Sequence, residues 1–322
     1  MTEIVAVDLG GTHARFAIAS IEGGRVSNLG DEVVLKTVEH ASFQTAWEAF
    51  AQRLGRPLPR AAAIAVACPV GGEVLQLTNN PWTIRPARLP EMLGIDRFTL
   101  INDFGAVGHA VAQLDDSQFR HLFGPQRPLP NPGVISIVGP GTGLGVAILA
   151  RSAAATLVIE AEGGHADFSP LDPLEDQMLA RLRGLYRRVS VERIVSGPGL
   201  ANIHATLAAI EGRAVAPMDD ARLWALALSG QDSLAAAAFD RFCLSLGAAA
   251  GDIALTQGAQ AVVIAGGLGL RIADRLASSG FESRFRAKGR FEARMAAMPV
   301  KLITHPQPGL FGAAVAFAHQ YP

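Results

Sequence analysis

The sequence predicts an α/β protein built from two lobes, on three observations. Strand-like apolar runs alternate with helix-like stripes along the whole chain. A pattern of apolar run, glycine–threonine turn and second apolar run occurs twice, over residues 4–20 and again over 133–150, as two related α/β halves would show. At 322 residues the chain also exceeds what one hydrophobic core holds comfortably.

The first strand is expected over residues 3–8, where Ile4, Val5 and Val7 form a short apolar run. Leu9-Gly10-Gly11-Thr12 interrupts it, and a second strand follows over 14–20. That order is strand, glycine turn, strand. Dinucleotide folds and P-loops need a helix after the glycines, and Gly-x-x-x-x-Gly-Lys-Ser/Thr is absent. Phe43, Trp47, Phe50 and Leu54 fall on one helical stripe. Residues 62–67 and 98–101 read as buried strands. The second ends in Asn102-Asp103, and carboxyl ends of strands in α/β sheets are where ligand groups gather. The Pro-rich stretch 125–132 reads as a surface loop between the lobes.

A strand over 133–138 leads into Gly139-Pro140-Gly141-Thr142-Gly143, and 144–150 resumes strand character. Asp172-Pro173-Leu174-Glu175 carries an N-cap, a proline at the first helical position and a glutamate two further on. Leu174, Met178, Leu182 and Leu185 supply the stripe behind it. Residues 219–256 read as two or more packed helices. A late strand over 260–265 ends in Gly266-Gly267, the last strand covers 299–304, and a final helix over 309–319 is rich in small residues suited to close packing.

Hydrophobic residues make up 49% of the chain and charged residues 18%, which argues for a large buried core and against disorder. A net charge of −1 gives no electrostatic reason to expect nucleic acid or an anionic membrane as partner. The densest basic run, 181–193, sits on a helix-like stretch and reads as a solvated face. Cys68 and Cys243 sit among small apolar residues and read as buried free thiols, and with no Cys-x-x-Cys pair a structural zinc site is not expected. No basic leader with a following apolar stretch and no 18-residue apolar run is present, so a cytoplasmic location is expected.

Two Gly-Thr turns are candidates for phosphate binding. Glycine lets backbone N–H groups approach phosphate oxygens without a Cβ in the way, and Thr12 and Thr142 can add hydroxyl donors. A plain glycine-rich hairpin makes the same pattern. Asp8, beside the first turn, can hold Mg²⁺ directly or through water, or cap its own turn. Asp103 can accept the proton of an attacking hydroxyl, or cap the helix that follows. Glu162-Gly163-Gly164-His165 places a carboxylate and an imidazole around two glycines, which suits a polyhydroxylated ligand as well as an ordinary turn. Glu192 reads as an acidic residue in the first turn of a helix, favoured there by the helix dipole alone. Gly266, Gly267 and Gly309 mark strand-to-helix junctions, where a nucleotide base or ribose can rest on backbone, although each by itself reads first as a structural turn.

These residues carry a resemblance. Asp8-Leu9-Gly10-Gly11-Thr12 resembles the first phosphate loop of the sugar kinase, actin and heat-shock ATPase superfamily. Further segments are similar to bacterial glucokinases, in family order: Ala67-Cys68-Pro69, Thr78-Asn79-Asn80-Pro81-Trp82, Ile101-Asn102-Asp103-Phe104, the stretch 139–145, Glu162-Gly163-Gly164-His165-Ala166-Asp167-Phe168, Ser196-Gly197-Pro198-Gly199-Leu200, Ile264-Ala265-Gly266-Gly267 and Pro308-Gly309-Leu310. The resemblance implies two ribonuclease-H-like lobes with an interdomain cleft, a small domain of 1–112 plus 305–322 and a large one of 113–304. It implies ATP-dependent phosphorylation of glucose at C6 with Mg²⁺, closure on the sugar, and a homodimer.

By the same match Asp103 is the catalytic base, and Asn102, Asp103, Glu162, His165 and Glu192 bind glucose. Asp8, Leu9, Gly10, Gly11, Thr12, Gly139, Gly141, Thr142, Gly143, Gly266 and Gly267 bind ATP, with Asp8 holding Mg²⁺ through water. Glu192 enters by this match alone. His13 stands where the family usually has Asn, beside the phosphate loop. Ala166-Asp167-Phe168-Ser169 replaces the cysteine cluster of the neighbouring repressor and sugar-kinase family, so that family's zinc site is not expected. Two other readings use the same loops: a kinase for mannose, fructose or an N-acetylhexosamine, and a non-catalytic sugar-sensing regulator. With the phosphate loop at Asp8, no helix-turn-helix is expected ahead of it.

Overall fold

The computed structural model describes residues 1–77, 80–216 and 218–322, so Thr78 and Asn79 of the resemblance lie outside the described residues. The chain divides into two compact units. Unit 1 comprises Met1–Asp115, Val158–Glu160 and His305–Pro322, and unit 2 comprises Asp116–Leu157 and Ala161–Thr304.

Unit 1 begins with the hairpin β1 (Thr2–Leu9) and β2 (His13–Glu22), followed by β3 (Arg25–Leu29), β4 (Val33–Lys36), α1 (Phe43–Leu54) and β5 (Ala61–Val66). Short β6 (Leu75–Gln76), β7 (Thr83–Ile84) and α2 (Leu89–Leu93) lead to β8 (Arg97–Asn102), α3 (Asp103–Gln113) and, from the far end of the sequence, the C-terminal helix Pro308–Gln320. The sheet order is β3-β2-β1-β5-β8 with β4 on β2; β1 and β2 are antiparallel, while β1, β5 and β8 run parallel.

Alternation along β1 sends Val5, Val7 and Leu9 to one face and Ile4 and Ala6 to the other. The first face meets α1, where Phe16 stacks on Phe50 at 5.0 Å beside Phe43 and Trp47. On the other face, alanines of β1, β2 and β5 let the C-terminal helix lie close with Leu310, Ala313, Ala314 and Phe317. The approach is closest at Gly312, where an added Cβ would collide with the Ala106 carbonyl of α3.

Unit 2 contains β9 (Phe119–Phe123), β10 (Gly133–Pro140), β11 (Leu144–Arg151), β12 (Thr156–Ala161), α4 (Pro173–Tyr186), α5 (Gly199–Ile210), α6 (Asp220–Ser229), α7 (Ser233–Thr256), β13 (Ala261–Ile264), α8 (Gly266–Leu276), α9 (Phe281–Arg286), α10 (Glu292–Ala296) and β14 (Val300–Ile303); residues 158–160 of β12 group with unit 1. Its sheet order is β12-β11-β10-β13-β14-β9. An antiparallel hairpin followed by two parallel neighbours, β11-β10-β13-β14, repeats β2-β1-β5-β8 of unit 1. The twice-occurring sequence pattern is therefore a repeated sheet topology.

Alpha 7 is long and apolar enough to cross a membrane by composition, but 72% of that stretch is buried, as befits the core helix of unit 2. Phe123 meets Phe281 and Phe285 at 5.6 and 5.2 Å, and Trp224 meets Phe242 edge-on at 5.2 Å, closing the helical side of this core. Cys68 and Cys243 are buried free thiols.

Three expectations fail. The Pro-rich stretch 125–132 joins β9 to β10 inside unit 2 and connects no two lobes, because both flanking strands belong to one sheet. Leu185 is 64% exposed; the buried face of α4 is Glu175, Met178, Leu179 and Leu182, and the helix ends at Tyr186, before Arg187 turns to φ 54°. The basic run 181–193 has the solvated arginines expected of it, but it is not one helical stretch, because α4 stops in its middle.

Candidate active site

In unit 1 the β1–β2 turn is fixed from both sides. Gly10 N–H donates to the His13 carbonyl at 3.0 Å, and buried Thr37 donates from its N–H to the Thr12 carbonyl and from its hydroxyl to the Gly11 carbonyl. These bonds use the turn's carbonyls. Among the described residues, nothing accepts from the N–H groups of Gly11 or Thr12, so the turn presents donors. The His13 ring nitrogen Nδ1 lies 3.0 Å from the Thr12 hydroxyl.

Asp8, the last residue but one of β1, faces the C-terminal helix. A Cβ on Gly309 would stand 2.9 Å from its Oδ2. Burial raises the Asp8 carboxyl above its ordinary range, Arg15 at 3.6 Å pulls it back and the Glu32 charge pushes it further up. Arg15 also pairs with Glu32 at 3.0 Å, and Gln307 donates to Glu32 at 3.2 Å. Arg15 and Glu32 were missed by the sequence reading. The signal for Arg15 was the hairpin register, which sets it directly across from Asp8.

At the end of β8, Asn102 is the N-cap of α3: its Oδ1 accepts from Phe104 N–H at 2.8 Å and Gly105 N–H at 3.3 Å. The capping alternative for Asp103 therefore belongs to its neighbour, since Asn102 holds the extended backbone a cap needs (ψ 151°) and Asp103 is already the first helical residue. The Asp103 Oδ1 accepts from Phe104 N–H at 2.9 Å. Cys68 packs nearby: burial and the Asp103 charge both raise its thiol. Glu160 accepts the Asn102 N–H at 2.8 Å, and an added Cβ on Gly105 would meet its Oε1 at 2.5 Å. Asp8 and Asn102–Asp103 thus lie at the ends of parallel strands separated only by β5.

In unit 2 the matching turn is tighter than expected. Gly139 and Pro140 lie within β10, so Gly139 is a strand residue opposite Gly145 and the turn is Gly141, Thr142 and Gly143. Gly141 N–H donates to the Gly143 carbonyl, and the Gly141 carbonyl accepts from Gly197 N–H. Among the described residues, nothing accepts from the N–H groups of Thr142 or Gly143. Gly266 opens α8 with φ 81°, and a Cβ there would stand 2.6 Å from the Pro140 carbonyl, whereas Gly267 faces open space. The N-terminus of α8 therefore lies beside this turn, a place suited to an anion.

Leu144 is where the turn and the polar residues meet. Its N–H donates to Glu192 Oε2 at 2.8 Å, and its carbonyl is so close to Gly164 that a Cβ would not fit. Glu192 sits in the first turn of a helix as expected, but that helix is a single 3₁₀ turn, Val191–Arg193, and α5 begins only at Gly199. Gly163–His165 form another such turn, which leaves Glu162 and His165 exposed with Oε2 and Nε2 3.9 Å apart. Among the described residues no group of three or more His, Cys, Asp or Glu could hold a metal ion.

Unit 1 thus carries one glycine turn rich in donors and carboxylates at parallel strand ends, and unit 2 a second such turn and an exposed Glu–His pair on a loop. The chain has close relatives. The glucokinase family profile matches residues 5–320. A glucokinase of Zymomonas mobilis is 65% identical over 99% of this chain and 98% of its own. Among solved structures, the glucokinase of an Antarctic psychrotroph superposes with a TM-score of 0.85 at 31% identity, covering 98% of this chain and 99% of its own. The Balamuthia mandrillaris glucokinase, solved in complex with glucose, shares the fold with a TM-score of 0.79 at 21% identity over 98% of this chain and 93% of its own. With a profile match across nearly its whole length and a 65% identical full-length relative, the chain belongs to the glucokinase family.

Proposed function

We propose that the protein transfers the terminal phosphoryl group of ATP to the C6 hydroxyl of glucose, giving glucose 6-phosphate. The observation that carries this reading, beside family membership, is the repeated hairpin whose turn leaves two N–H donors open in each unit. Gly11 and Thr12 in one, and Thr142 and Gly143 in the other, suit the oxygens of a nucleotide's phosphates. Gly266 and Gly267, at the start of α8, add a helix terminus.

Asp103 is proposed as the base. Its carboxylate accepts the C6 hydroxyl proton as the phosphoryl group arrives. An ordinary carboxylate serves, because the transition state is loose and the proton leaves late. Asn102, Glu162, His165 and Glu192 are proposed to hold the sugar hydroxyls: each carboxylate accepts two, and a neutral imidazole donates at one nitrogen and accepts at the other. A site built this way rejects sugars lacking a hydroxyl, whose absence leaves its own polar groups unpaired.

The Asp8 environment fits Mg²⁺ held through water. Burial makes its anion costly, which a cation would offset, and no multidentate cage surrounds it among the described residues. The ion would supply charge neutralisation on the phosphates. A homodimer acting in the cytoplasm completes the reading, and light scattering on the purified protein measures the first part.

The deciding experiment is a sugar panel with ATP and Mg²⁺ compared by kcat/KM. Glucose is expected among the best substrates; if mannose, fructose or an N-acetylhexosamine exceeds it by an order of magnitude, the glucose assignment is wrong. Asp103→Ala is expected to lose about three orders of magnitude in kcat while glucose binding persists.

A further inference from the structure

The loop carrying Glu162 and His165 is held by a residue that the proposed chemistry does not use. Arg188 donates from Nη2 to the His165 carbonyl at 2.7 Å and pairs through Nε with Asp167 at 2.8 Å. The two ends of its planar guanidinium thus grip two positions of one loop. Backbone bonds continue the strap: Phe168 N–H donates to the Val189 carbonyl, Val191 N–H to the Ala166 carbonyl, and Asp167 bridges antiparallel to Ser190.

The backbone that delivers Arg188 is unusual. Arg187 is the only non-glycine at positive φ among the described residues, at φ 54° and ψ −52°. Such a conformation costs of order 1–3 kcal/mol and persists only where surrounding contacts enforce it. It ends α4 and turns the next residue towards the loop.

The loop is seated on β11 on one side, where Gly164 lies against the Leu144 carbonyl and Gly163 against Val146, and is open on the side towards α7. Gly163, Ala166 and Phe168 border a hollow of about 280 Å³ whose far wall is one face of α7, including Ala248, Ala249 and Ile253. Ser245 on that wall is buried, yet among the described residues its hydroxyl has no hydrogen-bond partner. Close packing that would otherwise fix the loop is missing there.

We infer that Arg188 is a positioning residue for sugar recognition, acting through the His165 main chain and Asp167 to hold the Glu162–His165 pair in its binding geometry. This rests on the proposed role of His165 and Glu162 as glucose ligands. Arg188 and Asp167 are 61% and 74% exposed, so their ion pair adds little to global stability. The effect of losing it therefore falls on the loop and not on the fold.

The test compares glucose KM, ATP KM, kcat and urea midpoint for Arg188→Ala, Arg188→Lys and His165→Ala. Expected for Arg188→Ala is about a tenfold rise in glucose KM, equal to 1.4 kcal/mol, with ATP KM and the urea midpoint near wild type. Arg188→Lys, which keeps the charge beside Asp167 but not the two-pronged grip, should recover part of the loss. If His165→Ala raises glucose KM while Arg188→Ala does not, the positioning role is refuted and the sugar reading stands. If His165→Ala itself leaves glucose KM unchanged, the sugar reading falls and the inference with it. A lowered urea midpoint in Arg188→Ala, with glucose KM unchanged in the folded fraction, would make the residue merely structural and also overturn the inference.

Discussion

Glu192 accepts the backbone N–H of Leu144 at 2.8 Å, and the same carboxylate oxygen occupies the space that a side chain on Gly143 would need. One residue of the proposed sugar site therefore leans on the turn proposed to hold phosphate. Gly143→Ala should push Glu192 away while keeping the fold, since Gly143 has no positive φ to lose. The expected outcome is a glucose KM raised about tenfold, the cost of one displaced hydrogen-bonding group. Steady-state kinetics with glucose and ATP varied separately would show it. An unchanged glucose KM would mean that Glu192 is not a sugar ligand.

Gly309 and Gly312 lie three residues apart on the C-terminal helix and should fail differently. A methyl on Gly309 stands 2.9 Å from Asp8 Oδ2, a side-chain atom, so Gly309→Ala should mainly perturb Asp8. Several-fold weaker activation by Mg²⁺ and ATP is expected, with stability nearly kept. A methyl on Gly312 meets the Ala106 backbone carbonyl, which cannot swing aside. Gly312→Ala should cost about 1–3 kcal/mol in urea unfolding, the usual penalty of overpacking. Equal losses of stability in both variants would contradict this division.

The parts of the site that were legible in sequence are those made by neighbours in the chain. A hairpin with a glycine turn needs only local residue types, so both turns and the strand-end Asn102-Asp103 could be read directly. Which of those two caps α3 could not, because both residue types suit the position and the backbone angle of Asn102 decides it. Glu160 could not be found either: its partner Asn102 is 58 residues away, and a glutamate near the end of a strand carries no signal of its own. Arg188 reaches back 23 residues to His165 and was hidden in a basic run that read as a solvated face. The Pro-rich stretch 125–132 announced a loop correctly, but proline content says nothing about which strands a loop joins. Glu192 was identified only through family resemblance, because the Leu144 N–H it accepts is 48 residues away.

Acid should loosen unit 1 through His109. Its ring lies 5.5 Å from that of His319 where α3 meets the C-terminal helix, and its Nδ1 is buried without a hydrogen-bond partner among the described residues. Burial, with a smaller push from His319, lowers its pKa to about 4; burial and the Arg25 charge lower His319 in the same direction. The folded state thus resists a proton that the unfolded chain takes up near pH 6.5. No penalty exists above that pH. Stability should fall as pH drops from about 6.5 towards 4, by up to about 3 kcal/mol from His109. Urea midpoints at pH 7 and pH 5 measure the drop, and His109→Gln should reduce it. The same pH slope in both proteins would remove His109 from this role.

The N-terminus of α4 is tied to α7 and α9 by four charged groups. Arg241 reaches Asp172 at 2.5 Å and Glu175 at 3.0 Å, and Arg284 reaches the same carboxylates at 2.5 and 3.2 Å. Asp172 also caps α4 by accepting Glu175 N–H at 3.0 Å, and Glu175, only 1% exposed, accepts Leu171 N–H. Burial by itself would raise the Asp172 carboxyl, but the Glu175 N–H and the Arg241 and Arg284 charges outweigh it and hold it below its ordinary range. That contribution is present above the ordinary carboxylate pKa and is lost as pH falls through the lowered one.

Removing one arginine leaves both carboxylates paired with the other alone: Arg241→Met is expected to cost about 1–3 kcal/mol, the usual loss of charge-assisted hydrogen bonds. Arg284→Met should cost a similar amount, whereas the double variant should lose clearly more than the two together, since only it leaves the buried Glu175 carboxylate without a cation. Replacing the acid too, as Glu175→Gln with Arg241→Met, should recover part of the loss, because one arginine then faces one carboxylate instead of two. Chemical unfolding of the four variants at pH 7 decides the point: strictly additive losses with no recovery would mean that the four groups act as separate surface pairs and do not form one network.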